Sequence, residues 1–183
     1  LTFTAGAQVG TTDCDETFTG VGGTLALGDL STGTVTSSDQ GTISHVCTRL
    51  ITNASNGATV SISDASNGLA SVATPTDIID TISVAAKSVM VAGTEGFGLC
   101  VDSSATGSVF GATPVANALY EGPCSSTQHT AGGVNGTDRE LWELTSPTDR
   151  AYASVLIKSA ISSSTAAQSD YQDTLTFLAT GNF

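Results

Sequence analysis

Apolar and polar residues alternate with a period of two along most of this chain. Val60 and Ile62 alternate with Thr59, Ser61 and Ser63. From Ile82 to Ala92, one face carries Ile82, Val84, Ala86, Ser88 and Met90, and the other Ser83, Ala85, Lys87 and Val89. Ala153, Val155, Ile157 and Ile161 alternate with Tyr152, Ser154 and Lys158, and Leu175, Phe177 and Ala179 with Thr174, Thr176 and Thr180. This pattern writes strands with one buried and one solvated face. Thr and Ser on the outer face suit a pleated surface and keep it soluble without charge.

The punctuation agrees. Asn-Gly occurs at Asn56-Gly57, Asn67-Gly68 and Asn135-Gly136, and Asn-Gly between alternating runs is the strongest short hairpin signal. Asn56-Gly57 is expected to join a strand near Ile43–Thr52 to one near Ala58–Asp64 in a hairpin. Turn signals recur about every 8–15 residues, and no segment reads as a helix of about ten residues or more. Residues 102–140 are the least regular part, rich in Gly, Ser and Pro, and read as a long stapled excursion. Ser162–Thr165 reads as a loop before a last strand. The expected fold is all-β: an antiparallel β-sandwich, Ig-like or jelly-roll-like, of about eight to ten strands. Residues 1–12 form an N-terminal arm in this reading, and residues 13–183 the sandwich domain.

Composition narrows the function classes. The 183 residues include 20 Gly and 52 Ser or Thr, with 39% hydrophobic and 5% aromatic residues. That is too apolar for a disordered tail and too poor in Lys, Glu and Leu for a helical bundle. Acids outnumber bases 17 to 5, for a net charge of −12. The five bases, Arg49, Lys87, Arg139, Arg150 and Lys158, are scattered, whereas nucleic-acid binding needs them clustered against phosphates. A nucleic-acid partner and an anionic membrane surface are therefore not expected. No stretch approaches the roughly 20 apolar residues of a membrane span.

Cys14, Cys47, Cys100 and Cys124 show no C-x-x-C spacing, and only two His occur, so no metal site is expected. An even cysteine count in a Lys-poor, Ser/Thr/Gly-rich chain reads as two disulfides. Of the three connectivities, Cys14–Cys47 with Cys100–Cys124 closes two separate local loops and is the expected one. The chain starts at Leu1 without a basic n-region, as expected of a secreted product whose leader is gone. The expected location is extracellular or at the cell surface.

Catalytic patterns are weak. A nucleophile needs a base within hydrogen-bond reach, and the imidazoles are His45 and His129 alone, with no G-x-S-x-G elbow. Gly20, Gly22 and Gly23 fit neither a dinucleotide fingerprint nor a P-loop and mark a bulge or bend. Asp138, Glu140 and Glu143 flank Trp142, which suits glycan hydrolysis on paper, but a polar turn leading into a strand Leu141–Thr145 explains them as well. Asp13, Asp15 and Glu16 offer hard oxygens for calcium, yet match no EF-hand spacing. Asn53 and Asn135 head N-glycosylation sequons. No enzyme, cofactor or metal is expected.

The ends of the sequence are more informative. In residues 1–10, LTFTAGAQVG, the residues Leu1, Phe3, Ala5, Ala7 and Val9 alternate with Thr2, Thr4, Gly6, Gln8 and Gly10. The last residues, LTFLATGNF, repeat nearly the same word. Such a first strand either pairs within its own sandwich or leaves it to complete the sheet of a neighbour, where main-chain hydrogen bonds give affinity and alternate side chains fill pockets. Gly6, Gly10 and Thr11-Thr12 would give a pliable exit. Head-to-tail donation does not close on itself and builds a filament.

The ending Tyr171-Gln-Asp-Thr-Leu-Thr-Phe-Leu-Ala-Thr-Gly-Asn-Phe183 resembles the final strand of a group of secreted prokaryotic surface proteins. Thr52-Asn-Ala-Ser-Asn-Gly-Ala-Thr-Val-Ser-Ile-Ser-Asp64, followed by Asn67-Gly-Leu69, is similar to a second block of that group. The group comprises WxL-type wall domains and the β-sandwich subunits of donor-strand filaments, namely TasA/camelysin-type biofilm fibres and archaeal bundling pili. The match covers about 30 residues. The Trp-x-Leu signature is absent from the terminal strand, since Trp142-Glu-Leu144 lies outside it, and two disulfides are not general to the group. The resemblance implies a structural subunit of an extracellular pilus-like filament for adhesion or biofilm, a homopolymer with Leu1, Phe3, Ala5, Ala7 and Val9 as donor strand. The alternative is a monomeric wall-associated or adhesive module that contacts a glycan or protein through residues 102–140. A glycan-directed enzyme and a capsid shell fit less well.

Overall fold

The computed structural model describes residues 1–9, 14, 18, 20–40, 44–106 and 112–183. Its regular structure is all strand, with no helix among the described residues and hence none long and apolar enough to cross a membrane. In chain order the strands are β1 (Thr2–Val9), β2 (Thr36–Ser37), β3 (Ser44–Thr52), β4 (Ala58–Asp64), β5 (Gly68–Ser71), β6 (Ile78–Asp80), β7 (Ser88–Val89) and β8 (Gly96–Thr106). They continue as β9 (Val115–Ala116), β10 (Cys124–Ser125), β11 (Gln128–Ala131), β12 (Arg139–Leu144), β13 (Thr148–Ala160), β14 (Tyr171–Gln172) and β15 (Leu175–Gly181). The all-β, sandwich-like reading stands, although the strands are more numerous and several are only two residues long.

Two sheets build the sandwich. The inner sheet runs β1-β3-β13-β2 with β8 on the other side of β13, and its partner runs β15-β4-β12-β9. All of these pairings are antiparallel. Val46 and Leu50 of β3 and Ala151, Ala153 and Val155 of β13 meet Val60, Ile62, Leu141, Trp142 and Leu144 of the second sheet in one buried cluster. The Trp142 indole N–H donates to the Thr48 hydroxyl at 3.1 Å, and that hydroxyl donates to the Ala153 carbonyl at 3.0 Å. The indole thus binds the sheets together with its one polar atom satisfied.

Asn56-Gly57 does not make a hairpin. It lies on the corner where β3 of one sheet passes to β4 of the other, beside the corner from β12 to β13. Gly57 sits at φ +78°, and a Cβ there would come within 1.9 Å of the Leu144 carbonyl oxygen. Two corners packed this closely admit only glycine. A local turn signal reads the bend, but whether the next strand pairs or crosses over depends on partners distant in sequence.

β3 and β13 also depart from the one-face expectation. Tyr152, Ser154 and Lys158 are as buried as Ala153 and Val155, because chain segments cover the outer face of the inner sheet. Cys14 and Phe18 pack over Cys47 and Tyr152. Further along, Cys100 and Cys124 cover Leu156, and the Lys158 ammonium donates to Ser37 Oγ at 3.0 Å and the Ser125 carbonyl at 2.7 Å. Both covers are pinned covalently, by Cys14–Cys47 and Cys100–Cys124, the connectivity that loop closure favours. Replacing Cys100 and Cys124 by Ser is expected to cost roughly 3–4 kcal/mol, read as a lower urea midpoint.

One local expectation fails. Within Ile82–Ala92 only Ser88–Val89 is strand; the Ser83 hydroxyl accepts from the Ala85 and Ala86 amides at 3.2 and 3.3 Å, and this turn competes with the ladder. The excursion at 102–140 shares its first residues with β8, which pairs along β13 from Ala160 to Ala151, and includes β9, β10 and β11.

Candidate assembly edge

β3 passes directly into β4, and β12 into β13, so β1 and β15 bound the sandwich on the same side, while β8 lies against β9 on the other. β1 pairs antiparallel with β3 from Thr2↔Ile51 to Val9↔Ser44. The register turns Phe3, Ala5 and Ala7 toward the core, opposite Leu50, Thr48 and Val46. Phe3 packs on the central cluster, whereas Leu1 and Val9 remain 54% and 60% exposed. Three of the five proposed donor residues therefore face inward, and a single chain completes its own sheet. Gly10, Thr11 and Thr12, the proposed exit, lie outside the described residues, as do Asp13, Asp15 and Glu16, the calcium candidates.

The outer edge of β1 carries one parallel bridge, Gly6↔Gly22. The Ala7 amide donates to the Gly22 carbonyl at 3.0 Å, and the Gly22 amide to the Ala5 carbonyl at 2.8 Å. A Cβ on Gly6 would stand 2.5 Å from the Gly22 oxygen, so this approach requires glycine. Gly22 and Gly23 at φ +69° and +116° then turn the chain away, the bend expected of these glycines. Beyond them Leu25, Leu27 and Leu30 pack on the core. Sequence reasoning missed this segment, although Leu25-Ala-Leu27 shows the period-two signal.

β15 pairs with β4 from Leu175↔Asp64 to Gly181↔Ala58, and among the described residues with no other strand. Its Leu175, Phe177 and Ala179 rest on the core but stay half-buried. Neither β1 nor β15 contains a charged residue or a proline. Monomeric proteins usually blunt edges with Lys, Pro or bulges; neither strand carries a Lys or Pro, and at β1 the Gly22 bridge covers part of the edge. Of the nine exposed large apolar residues among those described, five (Leu1, Val9, Val21, Leu178 and Phe183) belong to these strands or the segments joined to them.

A carboxyl pair sits where β15 begins. The Asp64 carboxylate accepts from the Asn67 amide at 3.1 Å and Asp173 from the Ala65 amide at 3.3 Å. Burial, then the Asp173 charge, push Asp64 up to about 6, against backbone N–H groups that favour its charged form, and burial raises Asp173 as well. An unfolded Asp loses its proton near 3.8 and the folded Asp64 near 6, so between these values the folded chain holds a proton the unfolded chain has released. Stability is expected to fall as pH rises through that window. Asp64→Asn should flatten the decline, as followed by thermal melting from pH 4 to 7.

The other candidates are dispersed. Trp142 is fully buried and offers no face to a sugar, while Asp138 is exposed and Glu140 accepts from the Asn117 side-chain amide at 3.2 Å. His45 is buried beside Cys47, and His129 lies on β11. Cys14, His45 and Cys47 place metal-competent atoms within 4.8 Å of one another, but both sulfurs are committed to the disulfide. Asn53 is exposed at the β3–β4 corner, open to a glycan, whereas the Asn135 side-chain oxygen accepts from the Thr137 amide and Arg139 Nε at 3.3 and 3.2 Å. No known protein family, curated protein or solved structure matches the chain.

Proposed function

We propose that this chain is a structural subunit of an extracellular filament that polymerises head to tail by β-strand exchange along the β1/β15 side. The observation that carries the reading is the pair of uncharged edge strands on one side of a chain with net charge −12. Two copies repel one another over most of their surface, and this side is where a neutral strand can approach. Exchange replaces the β1–β3 ladder within a chain by the same ladder between chains, so little enthalpy separates the two states. A donated strand links each copy to the next without closure and so extends a fibre. Two disulfides are compatible with an oxidising extracellular setting.

Thr4 and Arg49 face each other in the β1–β3 register, which gives a direct test. The variant Thr4→Cys/Arg49→Cys, oxidised at high concentration, is expected to give a series of covalent oligomers on a non-reducing gel. Monomer alone at every concentration would refute exchange and favour the single-copy adhesive module.

A further inference from the structure

We propose that Asp64 and Asp173 together hold a hard divalent cation, calcium, where β4 ends and β15 begins. The site lies within one chain and does not depend on strand exchange.

The two carboxylates share one turn. Residues 64–67 follow β4, and their amides serve both groups: the Asn67 amide donates to Asp64 Oδ1 at 3.1 Å, and the Ala65 amide to Asp173 Oδ1 at 3.3 Å. The Asp64 amide itself donates to the Asn135 carbonyl at 3.1 Å. Leu175, two residues beyond Asp173, pairs with Asp64 across the ladder. Main-chain contacts thus place both carboxylates, and each keeps one oxygen in reserve. Asp64 Oδ2 and Asp173 Oδ2 are both removed from solvent and receive no hydrogen bond from the described residues. Asp64 as a whole is only 5% exposed.

A buried carboxylate oxygen without a donor is costly. Two such oxygens on neighbouring acids call for a basic side chain, a shared proton or a metal ion. No basic side chain fills the role. What acts on the pair is burial, the neighbouring carboxylate, backbone N–H groups and the Ser66 hydroxyl, with no Lys or Arg among them. Arg139 directs its Nε to the Asn135 side chain at 3.2 Å instead. One proton satisfies one oxygen and leaves the other. A doubly charged cation satisfies both oxygens and cancels both charges. The donors are oxygen, which selects a hard ion over one that seeks sulfur or imidazole. Calcium accepts irregular shells of about six to eight carboxylate, carbonyl and water oxygens, whereas magnesium demands a near-ideal octahedron. Asp173 is half-buried, which leaves a side for water to complete the shell.

The test is a calcium titration of the intact, chelator-washed chain at neutral pH, read by backbone amide NMR and by thermal melting. The Ala65 and Asn67 amide resonances are expected to move along one saturation curve, half-complete at about 0.1–1 mM, the range of weak extracellular calcium sites. At about ten times that concentration the melting temperature should rise by about 3–6 °C. Asp64→Asn and Asp173→Asn each keep an acceptor for the turn amide and remove the charge, and each should abolish the rise. Asp29→Asn, at an exposed position, should preserve it. A rise that persists in both site variants, or that Asp29→Asn removes equally, would mean diffuse attraction of counterions to a chain of net charge −12 and would overturn the site. Ala65 and Asn67 amides that stay still under excess calcium would overturn it as well, leaving the pair with a shared proton. That measurement uses the unsubstituted protein and so requires no variant to fold.

Discussion

A chain lacking residues 1–10 is expected to form no fibres. The intact protein should sediment as filaments visible by negative stain, while the shortened chain stays in the supernatant. Loss of β1 uncovers the edge of β3 along the whole register from Ile51 to Ser44 and withdraws Phe3 from the core. Burial of Phe3 and the two inward alanines contributes at least about 2 kcal/mol, so the melting temperature should drop by about 4–8 °C. A peptide of residues 1–10 added in trans is expected to restore the melting temperature without restoring fibres, since a free peptide caps the edge and carries no further subunit. Fibres from the shortened chain as abundant as those of the intact one would sink β1 as the exchanged strand.

Trp142→Ala is expected to be the most damaging single substitution, at about 3–5 kcal/mol. The side chain is wholly buried between the sheets, and its loss leaves a void lined by β3, β12 and β13 as well as a Thr48 hydroxyl short of one donor. Denaturant unfolding measures the cost directly. Trp142→Phe keeps most of the volume and should lose less than half as much. Neither change should alter binding to any sugar, because no part of the indole reaches solvent. A near-neutral Trp142→Ala would mean that the two sheets do not meet at this residue.

Much of the architecture is legible from local pattern. β4 and β15 read correctly because each has one face on the core and one in water, so Val60, Ile62, Leu175 and Phe177 declare their direction. The disulfide pairing is the one favoured, among three possible, because it closes two separate local loops. β3 and β13 are harder: Ser154 and Lys158 occupy positions that alternation assigns to solvent, and only the covers held by the cysteines bury them. That burial is decided by residues far away in sequence, which no window senses. Asn56-Gly57 fails for the same reason, as a turn does not specify which sheet the next strand joins. Of the assembly edge, the alternation of β1 and β15 is visible in the sequence. Their position on one side of the sandwich is not, because it follows from the strand order.

The bond between Cys14 and Cys47 has a mechanical consequence. Cys47 lies in the middle of β3, directly across from Gly6, in the sheet that also contains β13. If the chain forms the proposed fibre, a pull transmitted through a donated β1 would enter the subunit at residue 14 and pass through the sulfurs into β3. The segment from residue 15 to residue 46 lies within the disulfide-closed loop and carries none of that force. The load would instead shear the long ladders of β3 and β13, where many hydrogen bonds share it at once. A reductant would open that loop to the same force, and the proposed fibre would lengthen before it broke.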